Sequence, residues 1–133
     1  MGSIKVVVRY ADGRILKGFT QDFFPNKDRF HLHPVDETPG KGTQIFIRDL
    51  KAVFFVRDFA GNPQYDERKT HLKDETFQGR IVEVTFADGE ILVGSTLGYD
   101  PKRQGFFLVP LDAESNNVRI FTVMAAARSV RYI

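Results

Sequence analysis

Residues 10–20 read YADGRILKGFT and residues 86–96 read FADGEILVGST, seven of eleven positions identical at an offset of 76. The register outlasts the motif. Val6, Val8, Pro25, Phe30, Leu32, Pro34 and Asp36 answer to Val82, Val84, Pro101, Phe106, Leu108, Pro110 and Asp112. Self-similarity at a fixed offset marks a duplication, so each structural element must be readable in both copies. The repeat decides the architecture and specifies no reaction.

Around the motif the residues alternate. Val6, Val8 and Tyr10 stand against Lys5, Val7 and Arg9, and Val82, Val84 and Phe86 against Ile81, Glu83 and Thr85, the period of two that defines a strand. Asp12-Gly13 and Asp88-Gly89 supply the positive φ angles of a tight hairpin, and Ile15-Leu16 or Ile91-Leu92 open the return strand. Gly18 and Gly94 interrupt that strand at the same place, where a missing side chain permits a bend or a close backbone approach. A Pro-containing turn then leads to third strands at 30–34 and 106–110, fourth strands at 44–48 and 118–123, and fifth strands at 52–56 and 129–133. Ser115-Asn116-Asn117 supplies the turn before the fourth strand of the second copy. The offset slips to 75 at Ile45/Ile120 and to 77 at Val53/Val130, as loop insertions and deletions require.

Five short strands per copy predict a small, closed SH3-like barrel. The expected fold class is mainly β: two tandem five-stranded small barrels, residues 4–56 and 80–133, packed together, with residues 57–79 as a connector holding one short helix. In that connector Asn62 can cap, Pro63 suits the first helical position, Asp66 and Glu67 fall early, and Arg68, Lys69 and His71 fall late. Phe59, Tyr65, Leu72 and Phe77 offer apolar anchors that would clamp the connector onto the barrels. A core of this size rarely supplies more than roughly 3–5 kcal/mol alone, so the two barrels are expected to unfold as one unit.

Composition bounds the function. The chain has 133 residues, 42% hydrophobic and 27% charged, which is ordinary for a folded domain. Thirteen phenylalanines without tryptophan or cysteine indicate a core built on rings, and zero cysteine excludes disulfides, thiolate metal sites and a cysteine nucleophile. A reducing cytoplasm is the expected location, with no membrane span or signal-peptide core. Residues 4–56 hold nine Lys/Arg against six Asp/Glu, and residues 80–133 hold six against six. That excess falls well short of the basic stripe of a protein that lives on phosphate backbones.

The segment DGEILVGSTLGYD at 88–100, with DGRILKG at 12–18, resembles the first motif of Sm-like proteins. The resemblance implies a small barrel and, in that family, an RNA-reading pocket. Here Gln104 or Gly105 stands near the family's Asn position, and Arg48-Asp49 stands where its Arg-Gly pair would fall in the first copy. The whole chain also resembles an uncharacterised bacterial family of duplicated Sm-like/SH3-like barrels with GFT-x-DF-x-P and RDF-x-G signatures, here at 18–25 and 57–61. That family is loosely associated with PilZ-type signalling proteins. Neither an RxxxR loop nor a D-x-S-x-x-G strand of true PilZ domains is present.

The residues themselves offer few sites. His31 and His33 share a strand face with Asp36 and Glu37 nearby, but the second copy has Phe107 and Val109 there, and an H-x-H pair without a third ligand is a weak metal signal. Phe23, Phe24, Pro25 and Asn26 occupy the loop between strands two and three, matched by Tyr99, Asp100, Pro101 and Lys102. Such rings serve either as binding anchors or as lids folded onto the barrel, and the lid is the commoner role. With Lys27, Arg29, Lys102 and Arg103 around them, they form the sharpest candidate patch for a partner or for stacked bases. Asp12 and Asp88 read as turn residues, and Arg48 and Arg57 as solvated surface charges. No nucleophile elbow, phosphate loop or HExxH motif is present, so no catalytic residue, cofactor or metal is expected. The expected function is a non-enzymatic binding or adaptor protein whose partner is another protein. The alternatives are an Sm-like binder of single-stranded RNA and a degenerate PilZ-like nucleotide-signalling protein.

Overall fold

The structure, a computed structural model, describes residues 4–35, 42–61 and 79–133. The first copy contains β1 (Ile4–Tyr10), β2 (Ile15–Thr20), β3 (Arg29–Pro34), β4 (Thr43–Phe46) and β5 (Leu50–Val56). The second contains β6 (Arg80–Phe86), β7 (Ile91–Thr96), β8 (Gly105–Pro110), β9 (Asn117–Val123) and β10 (Ala127–Tyr132). The helix expected around Asn62 and Pro63 lies outside the described residues.

The duplication extends to individual backbone pairings. Val6 faces Gly18 and Gly18 faces Pro34 in the first half, and Val82 faces Gly94 and Gly94 faces Pro110 in the second. Gly13 and Gly89 adopt φ of 98° and 95°, whereas Asp12 and Asp88 do not take positive φ, so each hairpin uses one left-handed residue, the glycine, rather than the whole Asp-Gly pair. Gly94 is required for a second reason: a Cβ there would come 2.7 Å from the Val109 carbonyl oxygen, so only glycine lets β7 bend this closely over β8. The fourth strand of the first half is shorter than expected, because Ile47–Asp49 turn as a 3-10 segment tied by Ile47 N–H to the Asp28 carbonyl at 2.9 Å. Met124–Ala126 repeat the turn in the second half, tied by Met124 N–H to Gln104 at 2.8 Å.

All ten strands form one antiparallel sheet in the order β10-β6-β7-β8-β9-β5-β1-β2-β3-β4. In each half, the first and last strands of the five-stranded order contribute to one apolar core. Ile45 of β4 lies in the same cluster as Val53 and Phe55 of β5, so the half-sheet must curl back on itself. The expected seam between the halves is a run of strand pairing, Ala52 to Phe55 of β5 against Thr122 to Arg119 of β9, rather than a face contact between two closed cylinders. Successive residues of a strand point to opposite faces. Val53 and Phe55 therefore enter the first core with Phe121 and Val123, and Ala52, Phe54 and Val56 enter the second with Ile120. Every residue of β5 is buried as a result.

Charge locks the same seam. Lys51, almost wholly buried on β5, sits over the Phe86 ring at 4.9 Å and donates to Asp88 at 2.7 Å and to Glu90. Asp88 thus does more than shape its hairpin, where it accepts the Glu90 amide at 2.9 Å. The hydrogen bond from Lys51 holds its carboxyl below the usual range.

Candidate functional site

The loop residues singled out from sequence divide by role. Phe23 is a lid: its ring meets those of Phe30, Phe55 and Phe121 at 5.2 Å and that of Phe107 at 6.1 Å, edge to face. Phe24 is half exposed, and Asn26, Lys27, Lys102 and Arg103 are exposed. Arg29 belongs to β3 rather than to the loop, pairs with Asp28 at 2.9 Å and lies over Phe46 at 5.0 Å. Tyr99, the counterpart of Phe23, packs on Phe106 at 5.2 Å and Tyr132 at 6.4 Å. Gln104 joins the two loops, its Nε2 donating to the carbonyls of Pro25 at 2.8 Å and Lys27 at 2.6 Å.

Beside this junction lies an open cleft of about 820 Å³. Ser95 and Thr96 at the end of β7, Phe106, Phe107 and Val109 of β8, Phe121 of β9 and Pro25 of the first half line it. Tyr99, Asp100 and Arg103 line its rim, the last two 3.9 Å apart. Leu97 is 82% exposed at its mouth. The cleft opens where the β7–β8 pairing stops, after Gly94 opposite Pro110 and Ser95 opposite Val109.

In the first half the same divergence is closed by a polar latch. Asp22 Oδ1 accepts the His31 amide at 2.9 Å and the Thr20 hydroxyl at 3.2 Å, and Oδ2 lies 2.7 Å from His31 Nδ1. Burial raises the Asp22 pKa, but the hydrogen bonds from His31 and Thr20 outweigh it and hold the carboxyl below the usual range. His31 is thus engaged by Asp22, and His33 is exposed. Among the described residues no group of three or more His, Cys, Asp or Glu could hold a metal.

Sequence reasoning missed Leu97, Phe107 and Arg119. Arg119 lies 4.4 Å over both Phe55 and Phe107, with desolvation drawing its pKa below the usual arginine value. The available signal was divergence within the repeat: Gln21, Asp22 and His31 become Leu97, Gly98 and Phe107 inside otherwise matched copies. Arg57, expected to be solvated, donates to the carbonyls of Ser115 at 3.1 Å and Ala113 at 3.2 Å. Asn116 Oδ1 accepts the Asp58 amide at 3.0 Å, and the Phe59 ring meets Phe19 at 5.3 Å. Residues 57–59 therefore contact both halves, and the rest of the expected connector, 62–78, lies outside the described residues.

The chain belongs to a family of unknown function, DUF6982, which matches residues 2–133. No curated protein and no solved structure matches. No helix among the described residues is long and apolar enough to cross a membrane.

Proposed function

We propose that this member of the DUF6982 family is a non-enzymatic binding or adaptor protein that takes an extended segment of another protein in the cleft between β7 and β8. Its scaffold is read as two small SH3-like, Sm-like barrels whose sheets run together at β5 and β9. The strand order shared by the halves and the glycine bends of β2 and β7 support this reading. The observation that carries the function is the cleft itself: apolar walls, an exposed leucine at the mouth, and a strand edge where pairing has ended. Concave apolar sites with a few polar groups are the usual seats of ligands, and an open strand edge suits an extended peptide.

Selection of a displayed peptide library on the full chain tests the proposal. Selected peptides should lose at least about tenfold in affinity on L97S/V109S, which changes two exposed positions and leaves the melting temperature within a few degrees. Peptides that bind this variant and the parent equally would refute the assignment. Lys27, Lys102 and Arg103, gathered by Gln104, favour single-stranded RNA as the second reading. Two of the three rings that would stack bases are already engaged, Phe23 by other rings and Tyr99 by Phe106 and Tyr132, which leaves Phe24 as the one half-exposed ring of the patch. A labelled oligonucleotide that binds tightly with a steep salt slope would replace the protein partner with RNA, and absence of binding at low salt would remove RNA.

A further inference from the structure

Comparing the halves identifies the chemistry the cleft lacks. In an antiparallel ladder, alternate residues direct their N–H and C=O groups to alternate neighbours. Gln104 C=O bonds to Met124 at the foot of β9, so Phe106 and Leu108 also turn toward β9, and Gly105, Phe107 and Val109 turn toward β7. The β7 ladder reaches Val109 and stops, leaving the Phe107 amide directed at the cleft. Its counterpart in the first half is the His31 amide, the one that Asp22 accepts.

The loop that carries Asp22 is conserved in shape but not in side chain. Asp22 N–H lies 3.4 Å from Thr20 Oγ1, and Gly98 N–H lies 3.3 Å from Thr96 Oγ1. A Cβ built on Gly98 meets nothing within 4 Å, and its φ lies outside the left-handed region, so both space and backbone would accept an aspartate. The second half has the same turn without the carboxylate.

We propose that a partner's carboxylate fills in the second half the place that Asp22 fills in the first. The ligand is an extended protein segment with an aspartate or glutamate between apolar residues. Its carboxylate accepts the Phe107 amide with Arg103 at the rim, and its apolar neighbours cover Leu97 and Val109. Asp100 also lines the cleft, and its repulsion is offset by Arg103 beside it. This assignment rests on the peptide-cleft reading above and specifies its ligand.

The test is a titration of the isotope-labelled full chain with acetyl-Leu-Asp-Leu-amide and with its asparagine twin, followed at the backbone amides. The aspartyl peptide should bind about tenfold or more tightly than the twin, with the largest shift at Phe107. Gly98→Asp should supply the latch internally, shifting the Phe107 amide without ligand and weakening the aspartyl peptide by about tenfold or more, and Gly98→Ala should keep its affinity within about twofold. Equal affinities for the two peptides, both mapping to Leu97, Tyr99 and Phe107, would overturn the carboxylate and leave the apolar cleft standing. Failure of both peptides to perturb the cleft would overturn both readings.

Discussion

Single residues show how closely two side chains that look alike in sequence can differ in role. Phe23 and Phe24 are adjacent phenylalanines, yet one lies against four rings and the other is half exposed. Phe23→Ala should cost about 3 kcal/mol in urea denaturation, and Phe24→Ala less than about 0.5 kcal/mol. Equal losses would contradict the lid assignment. Asp22 carries a pH signature. Its folded carboxyl is held below the ordinary range by His31 and Thr20, so its contribution is fully present above the unfolded value and is lost as pH falls through the folded one. Asp22→Asn should therefore lower the urea midpoint at neutral pH and flatten the acid limb. Asp12, Asp28 and Asp88, also lowered, keep some acid dependence in the variant. An unchanged acid limb would mean that Asp22 is not latched.

At the scale of elements, β5 sets the design. A strand buried on both faces reads as a continuous apolar run, and LKAVFFV departs from that only at Lys51, which the hairpin carboxylates Asp88 and Glu90 neutralise. Its counterpart β10 reads ARSVRY, with exposed Ser129 and Arg131 where β5 has Ala52 and Phe54. One strand is central and the other is a charged edge, and charge is a usual device against further edge pairing. Because β5 supplies both cores, a fragment of residues 1–56 would expose Phe54 and Val56 and lose Phe121 and Val123 from its own core. Circular dichroism of that fragment should show no cooperative urea transition. A two-state transition like that of the full chain would show that the seam is dispensable.

For the whole molecule, most of the fold was legible because it was written twice. Hairpins and glycine bends follow from residues that agree between copies, and the 3-10 turn at Ile47–Asp49 is hidden because Ile47 continues the alternation set by Ile45. How the halves join was not legible, since pairing of β5 with β9 depends on contacts between elements far apart in the chain. Of the loop residues named from sequence, Tyr99 and Arg103 line the cleft, Arg29 lies over Phe46, and Phe23 packs against other rings in the lid role that the sequence favours. Phe107 is legible as the residue that stands for His31 in the second copy, and Leu97 and Gly98 stand in the same way for Gln21 and Asp22, but a difference between copies does not by itself show that the three residues meet at a cleft. Those differences divide the molecule into a half latched by its own aspartate and a half left open. Amide hydrogen exchange at His31 and Phe107 tests this division most directly. A hydrogen bond to a charged acceptor is worth about 1.5–3 kcal/mol, so the His31 amide should exchange about ten- to hundredfold more slowly than that of Phe107. Equal protection of the two amides would contradict it.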